Sequence, residues 1–305
     1  MKNSPTCTLL EAAKWREYEL LDSGGGVKLE RFGKYIFERP EPQAIWSRAL
    51  PESEWEQAHA IFQPTGEESG GHWNFKKKVE EKWAISYPLA SLAAQGGLRF
   101  WVMPTPGRHL GVFPEAAPHW DWLSELIQQR SDKNINVLNL FGYTGLATLA
   151  AAAAGAKVTH VDASKKSVSW ARENQALSNL GEKPIRWIVD DALKFVEREA
   201  RRGIKYDGII LDPPKFGRGP KGEVWEVYKS LPNLLSACHA CLSDRPLFAA
   251  ITIYAVRASA IHAAQALDET MKQYHGTLDS GEMATRESSA NRLLSQAVYA
   301  RWQEK

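Results

Sequence analysis

The chain has little of what marks several large classes of protein. Its 305 residues include three cysteines, an odd number that does not form a disulfide framework. No apolar run approaches the length of a membrane-spanning helix, and the N-terminus lacks the apolar region of a signal peptide. We therefore expect a cytoplasmic protein that is not associated with a membrane.

Excess charge is also missing, because the net charge is only +2. This composition does not indicate a polybasic nucleic-acid-binding protein, but it leaves room for a local basic face. Cys238 and Cys241 form one C-x-x-C pair. Without a second pair at zinc-site spacing, this signal is weak, so we interpret them as structural thiols and predict no metal site.

Residues 136–164 are the most informative stretch of the chain. They predict, in order, an apolar strand at 137–140, a turn at 142–145, an alanine-rich helix at 146–154 ended by Gly155, and a strand at 158–161. Asp162 follows the second strand. In an open parallel α/β sheet, ligands bind outside the carboxyl ends of the strands, so the turn and Asp162 are expected at one site.

The chemistry of this stretch favours an adenosine-type ligand. Asp162 is placed to accept hydrogen bonds from ribose hydroxyls. The turn does not match the G-x-G-x-x-G spacing of dinucleotide sites, and it carries Phe141 and Tyr143 in place of a pyrophosphate cradle. S-adenosyl-L-methionine (SAM), which has a ribose but no phosphate, suits it better. An ordinary βαβ unit without a ligand and a nicotinamide dehydrogenase are the alternatives.

Two later strands also end in acidic residues. A third strand, 187–189, leads into Asp190 and Asp191, and the latter is placed to reach an adenine amino group, to cap a helix at 192–201, or to do both. A fourth strand, 206–211, ends in the sequence DPPKF at 212–216. Its two prolines fix the backbone and are expected to leave carbonyls pointing at the pocket, beside a flat target base or its exocyclic amine.

The remaining pattern predicts two domains. Residues 1–110 predict a β-rich, substrate-binding region whose first 20 residues are a mobile end or a short helix. Residues 111–305 predict a doubly wound α/β domain with a seven-stranded sheet and a C-terminal hairpin. Residues 217–222 predict a mobile basic loop, which is either a substrate lid, a nucleic-acid contact or a plain flexible loop.

The motifs NLFGYTG, VDAS, DDA and DPPKFGRG, with GVFPEAAPHW before the sheet, together resemble the class I SAM-dependent methyltransferases. More narrowly, they resemble the bacterial ribosomal RNA methyltransferase family that includes the large-subunit 5-methylcytosine enzymes. The resemblance covers roughly residues 80–305. It implies a Rossmann-like methyltransferase domain, SAM as cofactor and S-adenosyl-L-homocysteine (SAH) as product.

The resemblance also implies roles for individual residues. The cofactor-binding positions would be Phe113, Glu115, Asn139, Phe141, Gly142, Tyr143, Gly145, Asp162, Ala163, Ser164, Asp191, Ala192 and Asp212. Among these, Phe113 and Glu115 would close the pocket from the N-terminal side. The catalytic positions, facing the methyl group and the target, would be Asp212, Pro213, Pro214 and Lys215.

One departure from the family pattern changes the expected chemistry. The 5-methylcytosine enzymes carry a nucleophilic cysteine just after the fifth strand, whereas residues 251–257 here contain none. We therefore predict direct methyl transfer to a ring or exocyclic nitrogen of RNA, with ribosomal RNA as the favoured substrate. Asp212 would orient the target, Lys215 would contact a phosphate or base, and Tyr254 would stack on the base or serve as a core aromatic.

Other readings stay open at this point. The chain could be a methyltransferase that acts on a protein or a small molecule, or a SAM- or RNA-binding module without turnover. No match to the RNA-binding PUA module is evident in the first residues. Any bound RNA would then be held by the β-rich region. The sequence does not predict the oligomeric state.

Overall fold

A computed structural model describes residues 7–65, 70–132, 134–254 and 259–305. The chain forms two compact units. The sheet unit comprises residues 7–10, Pro118–Met283 and Gln296–Lys305, and the N-terminal unit comprises Glu11–Ala117 and Ala284–Ser295. None of the helices in these described ranges is long and apolar enough to cross a membrane.

The strands and helices are numbered in chain order. The strands are β1 (Cys7–Glu11), β2 (Tyr18–Gly24), β3 (Val27–Phe32), β4 (Tyr35–Pro40), β5 (Ala60–Pro64), β6 (Gly71–Phe75), β7 (Trp83–Tyr87), β8 (Leu98–Val102), β9 (Asn136–Leu140), β10 (Lys157–Asp162), β11 (Ile185–Val189), β12 (Gly208–Leu211), β13 (Phe216–Arg218), β14 (Val224–Glu226), β15 (Phe248–Tyr254), β16 (Gly276–Arg286) and β17 (Leu293–Glu304). The α-helices are α1 (Glu52–Trp55), α2 (Ala117–Gln129), α3 (Leu146–Ala154), α4 (Lys165–Leu177), α5 (Ala192–Arg201), α6 (Val227–Cys241) and α7 (Ala260–Met271).

The central sheet has the strand order β1-β16-β17-β15-β12-β9-β10-β11. Strands β15, β12, β9, β10 and β11 run parallel, and β17 is antiparallel to β15. The carboxyl ends of the five parallel strands therefore meet along one side of the sheet, which we call the carboxyl edge. This topology confirms the predicted Rossmann-like α/β fold.

Alternate residues of the central strands pack against helices on opposite faces. On one face, Leu138, Ile209 and Ile251 belong to an apolar cluster shared with residues of α5, α6 and α7. On the other face, side chains of β9 and β10 contact α3. The sheet is doubly wound because helices cover both of its faces, as its buried parallel strands require.

Local sequence signals account for the helix bounds. Helix α3 begins and ends where predicted, with Gly155 left-handed at φ 113° after its last residue. Helix α5 also has its predicted bounds, with Asp191 as its N-cap. Helix α4 ends at Leu177 and not at the predicted Leu180, because Asn179 rather than Gly181 takes the left-handed conformation, at φ 55°.

The sheet has an eighth strand that was not predicted. The expected mobile end or short helix is wrong for Cys7–Glu11, which forms β1 beside β16; residues 1–6 lie outside the described ranges. The Thr8 hydroxyl donates to Asp279 Oδ1 at 2.7 Å. A Cβ atom at Gly281 would lie 1.6 Å from the Thr8 carbonyl oxygen. The backbones of β1 and β16 can approach this closely because β16 has a glycine at that position.

The N-terminal unit is rich in β-structure, as predicted. It contains a five-stranded sheet, β2-β3-β4-β5-β6, and a two-stranded sheet, β7-β8. The buried carboxylate of Asp22 accepts hydrogen bonds from Leu50 N and Trp55 Nε1 and pairs with Arg292, so the tip of the β16–β17 hairpin is fixed to this unit. The functional division at residues 110 and 111 stays a prediction.

Candidate active site

The loop between β9 and α3 has an unusual backbone. Phe141 lies at φ 58°, Tyr143 at φ 48° and Gly145 at φ 84°, so three of five consecutive residues are left-handed. For the two aromatic residues this conformation costs on the order of 1–3 kcal/mol each. Such strain persists where surrounding structure enforces it, and it concentrates at functional sites. We call residues 141–145 the cofactor loop.

Hydrogen bonds to two elements, β10 and α4, hold the cofactor loop. Gly142 N donates to the Val161 carbonyl at 3.1 Å, and Tyr143 N donates to Asp162 Oδ2 at 2.9 Å. From α4, the fully buried Asn174 donates its side-chain amide to the Thr144 carbonyl at 2.9 Å. The sequence reading gave Asn174 no role of its own, because its partner lies 30 residues away.

Packing beneath the loop requires its glycines. A Cβ atom at Gly142 would lie 2.4 Å from the ring of His160, and one at Gly145 would lie 2.8 Å from the Ala171 side chain. Real Cβ atoms do not make contacts this short, so a larger residue would push the loop away from β10 or α4. The glycines thus let the loop lie directly on the strand and helix below it.

Asn139 is fully covered beneath α3. Its side-chain amide donates to Thr148 Oγ1 at 2.8 Å, and Thr148 Oγ1 lies 2.9 Å from His160 Nδ1. Burial lowers the pKa of His160 to about 3, so the imidazole is neutral at pH 7 and accepts the Thr148 proton at Nδ1. These hydrogen bonds join β9 and β10 to Thr148 in the first turn of α3. A contact between Asn139 and the cofactor stays a prediction.

Asp162 ends β10, where the sequence placed it. Its Oδ2 accepts from Tyr143 N at 2.9 Å and its Oδ1 from Ser164 N at 2.8 Å. Burial raises the pKa of Asp162, and these two hydrogen bonds oppose the rise. Each carboxylate oxygen keeps a second lone pair, which a ribose hydroxyl can use. Ser164 is the N-cap of α4, and the adenosine contacts of Ala163 and Ser164 stay predictions.

The end of β11 adds an acidic and an apolar group to the carboxyl edge. Asp191 caps α5 through its side chain, which accepts from Lys194 N at 3.0 Å, and Asp190 pairs with Arg198 at 2.6 Å. The adenine contact predicted for Asp191 and Ala192 stays a prediction. Val189 is 42% exposed directly before these acids. The sequence reading missed it, because an apolar strand residue usually signals burial.

Asp212 follows β12 at the same edge. Its backbone N lies 3.4 Å from the Leu140 carbonyl at the start of the cofactor loop. Pro213 is buried, whereas Pro214 and Lys215 are exposed. The expectation that the proline carbonyls stay free for the pocket is wrong for Pro214, whose oxygen accepts a 2.7 Å hydrogen bond from Trp225 Nε1.

The predicted loop at residues 217–222 covers the end of β13 and the turn between β13 and β14, and its mobility stays a prediction. Strands β13 and β14 pair antiparallel, with Phe216 opposite Glu226 and Arg218 opposite Val224. Trp225 is buried, and its ring packs against that of Phe141 with centroids 4.8 Å apart. The buried indole of Trp225 therefore anchors β14 beside the cofactor loop.

Phe113 and Glu115 lie in the N-terminal unit. The Phe113 ring is 4.7 Å from that of His109. Glu115 is buried, its Oε2 accepts no hydrogen bond from any described residue, and burial raises its pKa to about 7. A buried acceptor of this kind is suited to a ligand or an ordered water. The role of both residues in closing the cofactor pocket stays a prediction.

The thiols lie away from the carboxyl edge. Cys238 and Cys241 are buried in α6, and burial raises the pKa of Cys241 to about 11 and that of Cys238 further. Tyr206 N donates to the Cys241 carbonyl at 2.8 Å, which places Cys241 at the amino end of β12, opposite Asp212. Tyr254 ends β15, while residues 255–257 lie outside the described ranges. The described residues contain no group of three His, Cys, Asp or Glu side chains suited to a metal ion.

Comparison with known proteins gives this site a family context. The family model described as conserved hypothetical protein 95 matches residues 120–224. The ribosomal RNA large subunit methyltransferase K/L of Shewanella oneidensis is 31% identical over 219 residues, which cover 69% of this chain. The chain spans only 29% of the length of that relative. The enzyme of the same name from another Shewanella strain is 30% identical, and the chain again spans 29% of its length.

Two solved structures extend the comparison to nearly the whole chain. A proposed SAM-dependent methyltransferase from Streptococcus mutans shares the fold, with a TM-score of 0.69 at 18% identity over 95% of this chain and 76% of that one. The SAM-dependent methyltransferase from Agrobacterium tumefaciens is 44% identical, with a TM-score of 0.90, over 98% of this chain and 94% of that one. The chain therefore belongs to the class I SAM-dependent methyltransferases, which confirms the predicted resemblance, the enzyme class and SAM as its cofactor.

Proposed function

We propose that this methyltransferase acts on a base nitrogen of RNA in the cytoplasm, with ribosomal RNA as the favoured substrate. The names of the Shewanella relatives support an RNA substrate. The β-rich N-terminal unit is the proposed holder of the RNA. The choice of nitrogen as the methylated atom is supported by the position of the thiols.

The residues at the carboxyl edge fit SAM. Asp162 keeps acceptor capacity for ribose hydroxyls after its two backbone bonds, and a carboxylate there would repel a ribose phosphate. The exposed side chain of Val189 offers an apolar surface to an adenine ring. Bound SAM supplies an electrophilic methyl group, and the chain's task is to hold the acceptor atom in line with it.

Asp212 is the proposed orienting group for the acceptor. A base nitrogen already carries a lone pair, so the enzyme needs to position it and, for some acceptors, to remove a proton. The Asp212 carboxylate would accept a hydrogen bond from the N–H of the target base. Pro213 and Pro214 restrict the backbone behind it, and the exposed Lys215 suits a phosphate of the same nucleotide.

One observation carries the choice between nitrogen and carbon. Methylation of cytosine at C5 needs a thiolate to attack the ring, and such a thiolate must be accessible and have a low pKa. Cys238 and Cys241 are buried, have raised pKa values and lie toward the amino end of β12. Neither of these two thiols meets the requirement, and the third, Cys7, lies on β1, which β16 and β17 separate from the parallel strands. An acceptor nitrogen does not need a thiolate.

The decisive experiment is transfer of a labelled methyl group from SAM to total RNA from a strain that lacks this gene. The RNA is digested and the labelled nucleosides are identified by mass. We expect an N-methyl base, and labelled 5-methylcytosine would contradict the nitrogen acceptor. Label that resists RNase and appears in protein or a small molecule would replace RNA as the substrate.

A matched pair of variants tests the role of Asp212. Asp212→Asn keeps the size of the side chain but removes the carboxylate, so we expect kcat to fall on the order of 10²-fold. Asp207→Asn is the control, because Asp207 lies before β12, at the opposite end of the strand from Asp212, and accepts from Asn136 N at 2.9 Å. Full turnover by Asp212→Asn would refute the orienting role.

A further inference from the structure

The hairpin β13–β14 and the start of α6 expose an unusual amount of apolar surface. Phe216 is 52% exposed, Val224 57% and Tyr228 64%. Single exposed apolar residues are common, but here three fall within 13 residues of one another. We call Phe216, Arg218, Lys221, Val224 and Tyr228 the hairpin surface.

The side of the hairpin opposite this surface is fixed to the active site. Trp225 is buried against Phe141 and donates to the Pro214 carbonyl at 2.7 Å. Gly217 packs near Pro214, since a Cβ there would lie 3.3 Å from the proline ring. Because side chains alternate along a strand, Phe216 and Arg218 point away from this anchored side. The hairpin surface thus begins at Phe216, four residues after Asp212 along the chain.

The charges on the hairpin surface are positive. Among the described residues, no ion pair is made by the side chains of Arg218 and Lys221, and both residues are exposed. The nearby acids are neutralised, because Glu223 pairs with Lys194 at 2.7 Å and Glu226 pairs with Lys229 at 2.7 Å. The exposed ring of Phe216 therefore shares the outward side of β13 with the cation of Arg218.

We propose that the hairpin surface binds the single-stranded RNA that flanks the target nucleotide. The rings of Phe216 and Tyr228 stack on bases, and Arg218 and Lys221 contact phosphates. Stacking of this kind needs bases that are not already stacked in a duplex, so the partner is a single strand. The cations favour RNA over an apolar protein partner. The inference rests on the proposed function, because it assigns a binding surface for the same RNA.

The test uses the full chain with a fluorescein-labelled single-stranded RNA of about 12 nucleotides, within the usual site sizes, and the same strand annealed to its complement. One variant, Phe216→Leu with Tyr228→Leu, removes the rings but keeps apolar side chains. A second, Arg218→Gln with Lys221→Gln, removes the cations. Ile204→Ala and Lys272→Gln are matched controls, since both are exposed and lie outside the hairpin.

We expect the ring variant to bind the single strand about tenfold or more weakly, with unchanged duplex binding and SAH affinity. The cation variant should show a salt dependence shallower by about 1.4 units of log Kd per log salt, because each lost phosphate contact on a single strand removes about 0.7. Both controls should match the wild type. If the wild type methylates RNA and both variants bind the single strand within twofold of it, the hairpin inference alone is wrong. If the wild type neither binds nor methylates RNA, both the proposed function and the hairpin inference are wrong.

Discussion

The ring of Phe141 packs against the ring of Trp225, with centroids 4.8 Å apart. The same indole donates its N–H to the Pro214 carbonyl at 2.7 Å. One buried side chain therefore joins the cofactor loop to the segment that follows Asp212. A displacement of the cofactor loop or of the segment after Asp212 should therefore displace the other, because packed interiors transmit strain.

Trp225→Phe should lower turnover more than it lowers cofactor affinity. The phenyl ring keeps the contact with Phe141 but loses the hydrogen bond to Pro214, so the segment after Asp212 loosens while the cofactor loop stays in place. We expect kcat to fall about tenfold and SAH affinity to change less than about threefold.

The control is Trp122→Phe, which also removes a 2.7 Å indole hydrogen bond, here to Gln303, and should leave kcat unchanged. The coupling is refuted if both variants have the same kcat. Methyl-transfer kinetics and calorimetric titration with SAH supply the two measurements.

Asn174→Ala should weaken SAH binding with little effect on turnover at saturating SAM. Its amide reaches from α4 to the cofactor loop and donates to the Thr144 carbonyl at 2.9 Å. Loss of one buried hydrogen bond costs about 1–2 kcal/mol, and if the strained loop relaxes, this appears as roughly tenfold weaker binding.

Gln175→Ala is the matched control for Asn174. Gln175 is on the same helix and donates its amide to the Leu180 carbonyl at 2.9 Å, away from the loop. It should lose stability without losing SAH affinity. Equal loss of affinity in both variants, measured by calorimetry, would mean that α4 acts as a whole and that the Thr144 bond has no special role.

Glu115 should make the stability of the N-terminal unit fall as pH rises. Burial raises its pKa from 4.5 to about 7, so between these values the folded state binds more protons than the unfolded state. The stabilisation is present in full below pH 4.5 and is lost as pH rises through about 7, by as much as about 3 kcal/mol.

Glu115→Gln removes this dependence because the amide does not titrate. Urea unfolding of both proteins from pH 4.5 to 8, followed by tryptophan fluorescence, gives the difference in free energy of unfolding at each pH. Subtracting the variant cancels the other titrating groups. A difference that stays constant with pH would show that Glu115 has the same pKa in the folded and the unfolded protein, which would contradict the prediction.

Local signals predicted the frame of the sheet unit well. Helix α3 could be bounded from sequence because its alanines favour a helix and Gly155 ends it, and α5 because Asp191 caps it. Asp162 and Asp212 were placed at strand ends because a parallel sheet brings those ends to one edge. In each case the deciding interaction lies within a few residues along the chain.

The missed features depend on contacts between distant residues. Strand β1 exists because Gly281 leaves room for the backbone of Thr8, and the anchor of the cofactor loop joins Asn174 to Thr144. The glycines of residues 217–222 indicated a loop, but the strands on either side of it were missed, because they depend on the packing of Trp225 against Phe141. No local pattern reports such pairs, since tertiary packing overrides propensity.

A cysteine-free variant should remain an active methyltransferase. Cys7→Ser, Cys238→Ala and Cys241→Ala together remove every thiol of the chain. The two buried replacements should cost about 1 kcal/mol of stability each, since each leaves only a small cavity. Direct transfer to nitrogen does not use a thiolate, so we expect kcat on RNA within about threefold of the wild type. Loss of turnover in a folded variant that still binds SAH would instead require a thiol in the reaction. The wild type would then form an adduct that survives a denaturing gel with RNA whose cytosines carry fluorine at C5, because such a base has no C5 proton to lose and the cysteine is not released after methyl transfer.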